Sequence, residues 1–177
     1  RRSNAPFLSL KRDTPMIILD CETYTNYFLL SMLDTDSGHI KDFELFDGKD
    51  FDSKTVTAIL KKHTTLGFNS SNYDLPVIVA ALRGDTNAQI KQLSDDIINA
   101  PKVWPVLKKH KINIPQGFDH IDIMPIPIGQ ASLKIYGGRL HAPKMQDLPI
   151  EPSALITPEQ RNTLRLYCHN DLQVTAI

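Results

Sequence analysis

Three strand-like segments lie close together between residues 16 and 46, and they restrict the fold more than any other feature of the chain. The first two, MIILD at residues 16–20 and YFLLSMLD at residues 27–34, are apolar runs typical of buried strands. The third, IKDFELF at residues 40–46, alternates between polar and apolar residues, and the turn-forming stretch DTDSGH precedes it. This order predicts a three-stranded antiparallel meander.

Helix and strand patterns alternate after the meander. Residues 51–63 carry apolar residues at helical spacing, with Asp52 or Ser53 as the N-cap. TTLGF at residues 64–68 predicts a short strand, and LPVIVAAL at residues 75–82 predicts a helix with a proline in its first turn. Together with the meander, these elements predict an α/β fold in which α-helices flank a mixed β-sheet.

The second half of the chain is rich in proline and closes with a helix that has a clear start signal. Thr157 as N-cap, Pro158 at N1 and Gln160 at N3 predict a capping box there. The other predicted elements are, in chain order, a helical region at 87–111 broken at Pro101 and Pro105, a strand at 118–126, a short helix at 131–140 ended by Gly137 and Gly138, and a loop at 139–156.

Composition and charge describe a soluble domain of ordinary size. The chain has 177 residues, of which 41% are hydrophobic and 23% charged, which is typical of one globular domain with a sizeable core. The 20 basic and 20 acidic residues cancel, so a nucleic-acid partner would have to be bound locally. No apolar run approaches the ~20 residues of a membrane span, so we expect a cytoplasmic protein without a membrane partner.

Both ends of the chain carry information about its boundaries. Residues 1–14 mix basic and polar residues without periodicity, and we interpret them as a tail or linker. Residues 15–177 form the predicted domain. The final stretch LYCHNDLQVTAI contains no helix-ending signal, so we expect this domain to be part of a longer chain.

Two carboxylates follow the first buried strand. Asp20 and Glu22 are separated by one residue, so their side chains lie on the same face of a strand, with Cys21 on the opposite face. Carboxylates this close repel one another unless a cation or a proton lies between them. A solvated strand end is the simpler alternative. Zinc or redox chemistry is disfavoured, because Cys21 and Cys168 form no Cys-x-x-Cys pair.

Two further acids occur where a helix begins and within the final helix. Asp74 follows the turn-rich stretch GFNSSNY, where the helix dipole alone also favours an acid. Tyr167 and Asp171 are four residues apart and share one face of the final helix, which we expect to pack inward. An inward-facing Asp is costly unless it is paired or binds a metal ion. His169 lies off that face, and we interpret it as a surface or supporting residue.

These residues together resemble a known family. The patterns Asp20-x-Glu22, Asn69-x-x-x-Tyr73-Asp74 and Tyr167-x-x-x-Asp171 are similar to the three motifs of the DEDD superfamily of 3′–5′ exonucleases, which have an RNase H-like fold. The order of the motifs, their separation and their strand and helix settings all agree. The resemblance extends over about residues 16 to 177.

The last motif distinguishes branches of the superfamily. The histidine branch carries His five residues before the final Asp, where this chain has Leu166. The tyrosine branch carries Tyr four residues before it, which is Tyr167 here. The segment HIDIMPIPIGQASLKIYGGRL is similar to proofreading domains of phage and family B DNA polymerases, although a helix start capped by Ser132 with Leu133 in the core explains the same pattern.

The resemblance implies a metal-dependent exonuclease that removes nucleotides from single-stranded DNA 3′ ends in proofreading, within a phage-type DNA polymerase. Two divalent ions, Mg²⁺ or Mn²⁺, would catalyse hydrolysis. Tyr167 would orient the attacking water as a neutral phenol. The implied metal ligands are Asp20, Glu22, Asp74 and Asp171. The implied DNA-binding residues are Thr23, Asn69, Tyr73, Ser132, Leu133 and Lys134.

Two other functions stay open on sequence grounds. The first is a stand-alone DEDD nuclease that acts on RNA or short oligonucleotides. The second is a catalytically silent RNase H-like module that binds nucleic acid. The basic clusters at residues 61–63 and 108–111 have two interpretations: they steer the nucleic-acid strand, or they are solvated helix ends, which such runs more often are.

Overall fold

The computed structural model describes residues 15–46, 48–124, 132–144 and 146–177. Within these ranges the chain forms an α/β fold with a five-stranded sheet and six helices. The predicted tail at residues 1–14 lies outside the described residues. The elements are β1 (Ile17–Tyr24), β2 (Tyr27–Asp34), β3 (Ile40–Phe46), α1 (Ser53–Lys62), β4 (Thr65–Gly67), α2 (Asp74–Arg83), α3 (Asn87–Asn99), α4 (Val103–Lys109), β5 (His120–Asp122), α5 (Leu133–Arg139) and α6 (Gln160–Thr175).

The sheet is mixed, and its strand order is β3-β2-β1-β4-β5. The predicted meander is confirmed, because β1, β2 and β3 pair antiparallel in sequence order. β4 runs parallel to β1, and β5 runs parallel to β4. A parallel pair needs a crossover connection, which the segment containing α1 supplies between β1 and β4. β1 therefore lies at the centre of the sheet.

The two faces of β1 pack against different helices. Ile17, Leu19 and Cys21 belong to the larger core cluster, which also contains buried residues of α1, α2, α3 and α4. Ile18 and Tyr24 lie on the opposite face, in clusters that include residues of α6. Since side chains alternate along a strand, the face that carries Ile18 and Tyr24 also carries the two acids of β1.

Several helix boundaries agree with the predictions and others do not. Asp52 caps α1 by accepting a hydrogen bond from the Thr55 N–H at 3.0 Å. The break at Pro101 is confirmed, because it lies between α3 and α4. The break at Pro105 is wrong, since Pro105 lies in the first turn of α4, where a missing N–H costs nothing. The predicted strand at 118–126 is shorter, and its residues 125 and 126 lie outside the described part of the chain.

The capping box occurs at a different helix. α6 begins at Gln160, and only half of the predicted box is present, a 2.9 Å hydrogen bond from the Thr157 N–H to Gln160 Oε1. The complete capping box is formed at α3 by Thr86 and Gln89. None of the helices in the described ranges has the length and apolar character needed to cross a bilayer.

Gly137 allows α5 to approach α6 closely. The prediction that Gly137 and Gly138 end α5 is wrong, since the helix continues through both to Arg139. Gly137 is buried, and a Cβ there would lie 2.8 Å from Val174 Cγ1, which is closer than real Cβ atoms come. The glycine is therefore needed for packing rather than for ending the helix.

We expect Gly137→Ala to destabilise the protein by about 1–3 kcal/mol, the usual cost of overpacking. Urea unfolding measures the change, and the exposed Gly138→Ala provides the matched control. In the control the higher helix propensity of alanine should leave stability unchanged or raise it. Equal stability of the two variants would contradict the packing role of Gly137.

Candidate metal and nucleic-acid site

A thiol from α6 completes the environment of the two acids on β1. Cys168 is fully buried, and its Sγ donates to Asp20 Oδ2 at 3.2 Å. One ligand atom from each of Asp20, Glu22 and Cys168 lies within 4.8 Å of the other two. This cluster of two carboxylates and a thiol can hold a metal ion. It forms because β1 and α6 pack face to face.

Two more carboxylates reach the same place from other elements. Asp74, the first residue of α2, and Asp171 of α6 line a cavity of about 520 Å³ together with Asp20. Glu22, on the same face of β1 as Asp20, lines a smaller cavity of about 130 Å³. The structure therefore brings together four acids that the sequence separates by as many as 151 positions, from Asp20 to Asp171.

Ionisation of these four acids is unfavourable without a cation beside them. Burial raises the pKa of Asp20 well above its ordinary value, and the charges of Asp74 and Asp171 raise it further. The pKa of Glu22 is raised by burial and then by the charges of Asp20, Asp171 and Asp74. Burial also raises the pKa of Asp74 to about 7 and that of Asp171 above its ordinary value. Each acid is therefore short of compensating positive charge.

One oxygen of Asp74 indicates where such charge is missing. Asp74 is 3% exposed, and its Oδ1 is buried without a hydrogen-bond partner among the described residues. A buried carboxylate oxygen without a donor is costly, and a bound cation would remove that cost. Hard oxygen donors of this kind suit a divalent metal ion. The residues present therefore fit a metal ion.

Tyr167 and Asp171 lie at the border of the buried face of α6. The residues that pack inward are Leu164, Cys168 and Leu172, all fully buried, whereas Tyr167 and Asp171 are half-buried. The prediction that these two pack inward is therefore only partly correct. Burial raises the pKa of Tyr167, and the charge of Asp171, one turn away on α6, raises it further, so the phenol is neutral at pH 7.

No family model and no curated protein gives a significant match to this chain.

Four of the six predicted DNA-binding residues line the larger cavity: Asn69, Tyr73, Ser132 and Leu133. Thr23 lies behind Tyr73, to whose hydroxyl it is hydrogen bonded at 2.8 Å, and it lines only the smaller cavity. Lys134 does not line the larger cavity; its Nζ pairs with Asp147 at 2.5 Å. The structure thus brings together four of these residues and leaves Thr23 and Lys134 at the margin.

The loop before α2 is held in a specific shape. Asn69 has a φ of +56°, which asparagine tolerates better than most residues, and its carbonyl accepts the N–H groups of Asn72 and Tyr73. Asp122 of β5 accepts the Ser71 N–H at 2.9 Å. This loop directs Asn69, Tyr73 and Asp74 towards the cavity.

Three supporting residues were not found from the sequence: Ser94, Cys168 and Asp122. Ser94 contacts Tyr73, Cys168 contacts Asp20, and Asp122 contacts the loop before α2. Each contact joins elements distant in the chain, and no local sequence pattern marks it. His169 was expected to be a supporting or surface residue, and its Nε2 is hydrogen bonded to Asp42 of β3 at 2.8 Å. The basic clusters lie at the ends of α1 and α4, where Lys109 and His110 both pair with Asp96.

Proposed function

We propose that this chain is a 3′–5′ exonuclease domain of the tyrosine branch of the DEDD superfamily, with an RNase H-like fold, acting in proofreading within a phage-type DNA polymerase. The observation that carries the proposal is the shared cavity: Asp20 from β1, Asp74 from the start of α2 and Asp171 from α6 line it together. Their order along the chain is that of the three sequence motifs.

The ligands of the two metal ions in this proposal are Asp20, Glu22, Asp74 and Asp171. Mg²⁺ or Mn²⁺ suits these oxygen donors. Bound in pairs, such ions activate a water molecule and stabilise the charge on the leaving 3′ oxygen. The pKa values of the buried carboxylates are raised when no metal ion is bound. In this proposal their negative charge holds the two metal ions.

The remaining residues bind and orient in this proposal. Tyr167, one turn before Asp171 on α6, positions the attacking water through a neutral hydroxyl. Asn69 binds the terminal nucleotide by hydrogen bonding, while Tyr73 and Leu133 pack against it. Contacts of this kind do not depend on base identity, so the domain would digest any single-stranded 3′ end.

Incubation with a 5′-labelled single-stranded DNA oligonucleotide tests the proposal. We expect shortening from the 3′ end with release of mononucleotides when Mg²⁺ or Mn²⁺ is present, and none with EDTA. A blocked 3′ end should stop the reaction and a blocked 5′ end should not. A matched RNA oligonucleotide separates proofreading from an RNA-directed nuclease: faster cleavage of RNA would contradict the proposed substrate. An intact oligonucleotide in either metal would contradict nuclease activity altogether.

A further inference from the structure

Three hydroxyl groups from three separate elements meet beside the cavity. Thr23 Oγ1 of β1 lies 2.8 Å from the hydroxyl of Tyr73, which precedes α2, and 2.9 Å from Ser94 Oγ of α3. The Tyr73 hydroxyl lies 2.8 Å from Ser94 Oγ, which closes a triangle. Ser94 is 1% exposed and Thr23 is 8% exposed, so water contributes little to these bonds. We call this group the hydroxyl triad.

The hydroxyl triad can make its three hydrogen bonds with its own three protons. Each hydroxyl has one proton to donate and can accept up to two. Thr23 donates to Ser94. All three bonds are then made if Ser94 donates to Tyr73 and Tyr73 donates to Thr23. In this cyclic arrangement no proton of the triad remains to donate to a bound molecule.

Tyr73 separates two cavities. It lines the larger cavity, which holds Asp20, Asp74 and Asp171, and also the smaller one behind it, which Thr23 and Ser94 line. The Tyr73 hydroxyl is bonded to Thr23 and Ser94, which line the smaller cavity, so the side chain ends on that side while the residue also borders the larger cavity.

We infer that Ser94 is a positioning residue for nucleotide binding: with Thr23 it fixes the ring of Tyr73 as a rigid wall against which the 3′-terminal base packs. This inference rests on the proposed function. With the three protons arranged in this cycle, Tyr73 has its ring left for binding the base. A ring held before the substrate arrives loses less entropy on binding than a mobile one.

Four variants test the inference: Ser94→Ala, Tyr73→Phe, their combination, and Tyr73→Ala. We measure the Kd for a single-stranded DNA oligonucleotide in EDTA, where no hydrolysis occurs, and KM and kcat in Mg²⁺. Ser94→Ala removes one of the two hydrogen bonds to the Tyr73 hydroxyl and Tyr73→Phe removes both. Each should raise Kd and KM roughly 2- to 10-fold, Tyr73→Phe at least as much as Ser94→Ala, with a smaller change in kcat. The double variant should be no weaker than Tyr73→Phe, because both changes break the same triad. Tyr73→Ala should bind least of all.

Two controls separate positioning from loss of stability. Thr86→Ala removes the N-cap of α3, the helix that carries Ser94, and should lower the unfolding temperature without raising KM. Ser94→Thr keeps the hydroxyl, has the smaller cavity beside it for the added methyl group, and should restore binding.

The outcomes distinguish a failure of the inference about Ser94 from a failure of the proposed function. A loss of binding in Tyr73→Phe but not in Ser94→Ala would mean that the tyrosine hydroxyl acts without Ser94, through DNA or through Thr23 alone, which overturns the inference. Wild-type KM in Ser94→Ala would also overturn it while leaving the proposed function intact. A wild-type chain that hydrolyses no DNA would reject the proposed function, and the Kd values would then decide the inference alone. Absence of DNA binding by the wild type would reject both.

Discussion

Substituting alanine for both Asp20 and Glu22 is expected to abolish nucleotide release from single-stranded DNA while the fold survives. Both side chains project from the central strand towards α6, and both would bind the metal ions of the proposed site. Metal-ion stabilisation of charge in a transition state amounts to several kcal/mol, so the rate should fall by roughly 10³-fold or more. The rate is measured on a 5′-labelled oligonucleotide in saturating Mn²⁺.

The same variant should not be less stable than the wild type in EDTA at pH 8. Burial raises the pKa of both acids, so ionising them in the folded state costs free energy that the variant does not have to supply. Added Mn²⁺ should raise the unfolding temperature of the wild type and leave that of the variant unchanged. This readout is independent of catalysis.

Asp34 and Asp36 provide the matched control, because they are also one residue apart at the end of a strand, β2. Asp34→Ala with Asp36→Ala removes turn hydrogen bonds to the N–H groups of residues 36 and 37 and so lowers stability moderately, but neither residue lines the site. The control should keep wild-type activity and its response to Mn²⁺. Hydrolysis at the wild-type rate by the Asp20 and Glu22 variant would contradict the assignment of the metal ligands.

The local sequence pattern predicted the strands better than their arrangement. β2 and β3 have the predicted boundaries, because apolar runs and alternation act over neighbouring residues. The central position of β1 and the parallel pairing of β4 and β5 depend on packing between distant segments. The error at Gly137 has the same origin: a glycine in isolation predicts a helix end, while here it accommodates Val174 of α6.

The acids of the candidate site were predictable, and their supporting residues were not. Asp20 and Glu22 are marked by strand alternation, and Tyr167 and Asp171 by helical spacing. Ser94 looks like any small residue on the buried side of α3, and only the structure shows its contacts with Thr23 and Tyr73. Helical spacing also could not distinguish the buried row of α6 from the row beside it, since the two differ by one residue.

Replacing Asp74 with asparagine is expected to stabilise the metal-free protein at pH 8 and to reduce the pH dependence of its stability. Burial raises the pKa of Asp74 to about 7 in the folded state, against an ordinary value of 3.8. Between these values the folded state binds more protons than the unfolded state, so the free energy of unfolding falls as pH rises from about 4 to about 7. The shift in pKa corresponds to a loss of about 4 kcal/mol in the free energy of unfolding.

The net gain is smaller than this loss, because the asparagine NH₂ group would bury N–H donors without acceptors in place of a carboxylate oxygen, at a cost of about 1–3 kcal/mol. We therefore expect Asp74→Asn to be about 1–3 kcal/mol more stable than the wild type in EDTA at pH 8 and less stable than it at pH 4, where the wild-type carboxyl is protonated. Urea unfolding at both pH values measures the difference, with the exposed Asp36→Asn as control. If the stability of Asp74→Asn depends on pH as that of the wild type does, the protein itself already compensates the charge of Asp74. The argument for a cation beside its unpartnered oxygen would then be wrong.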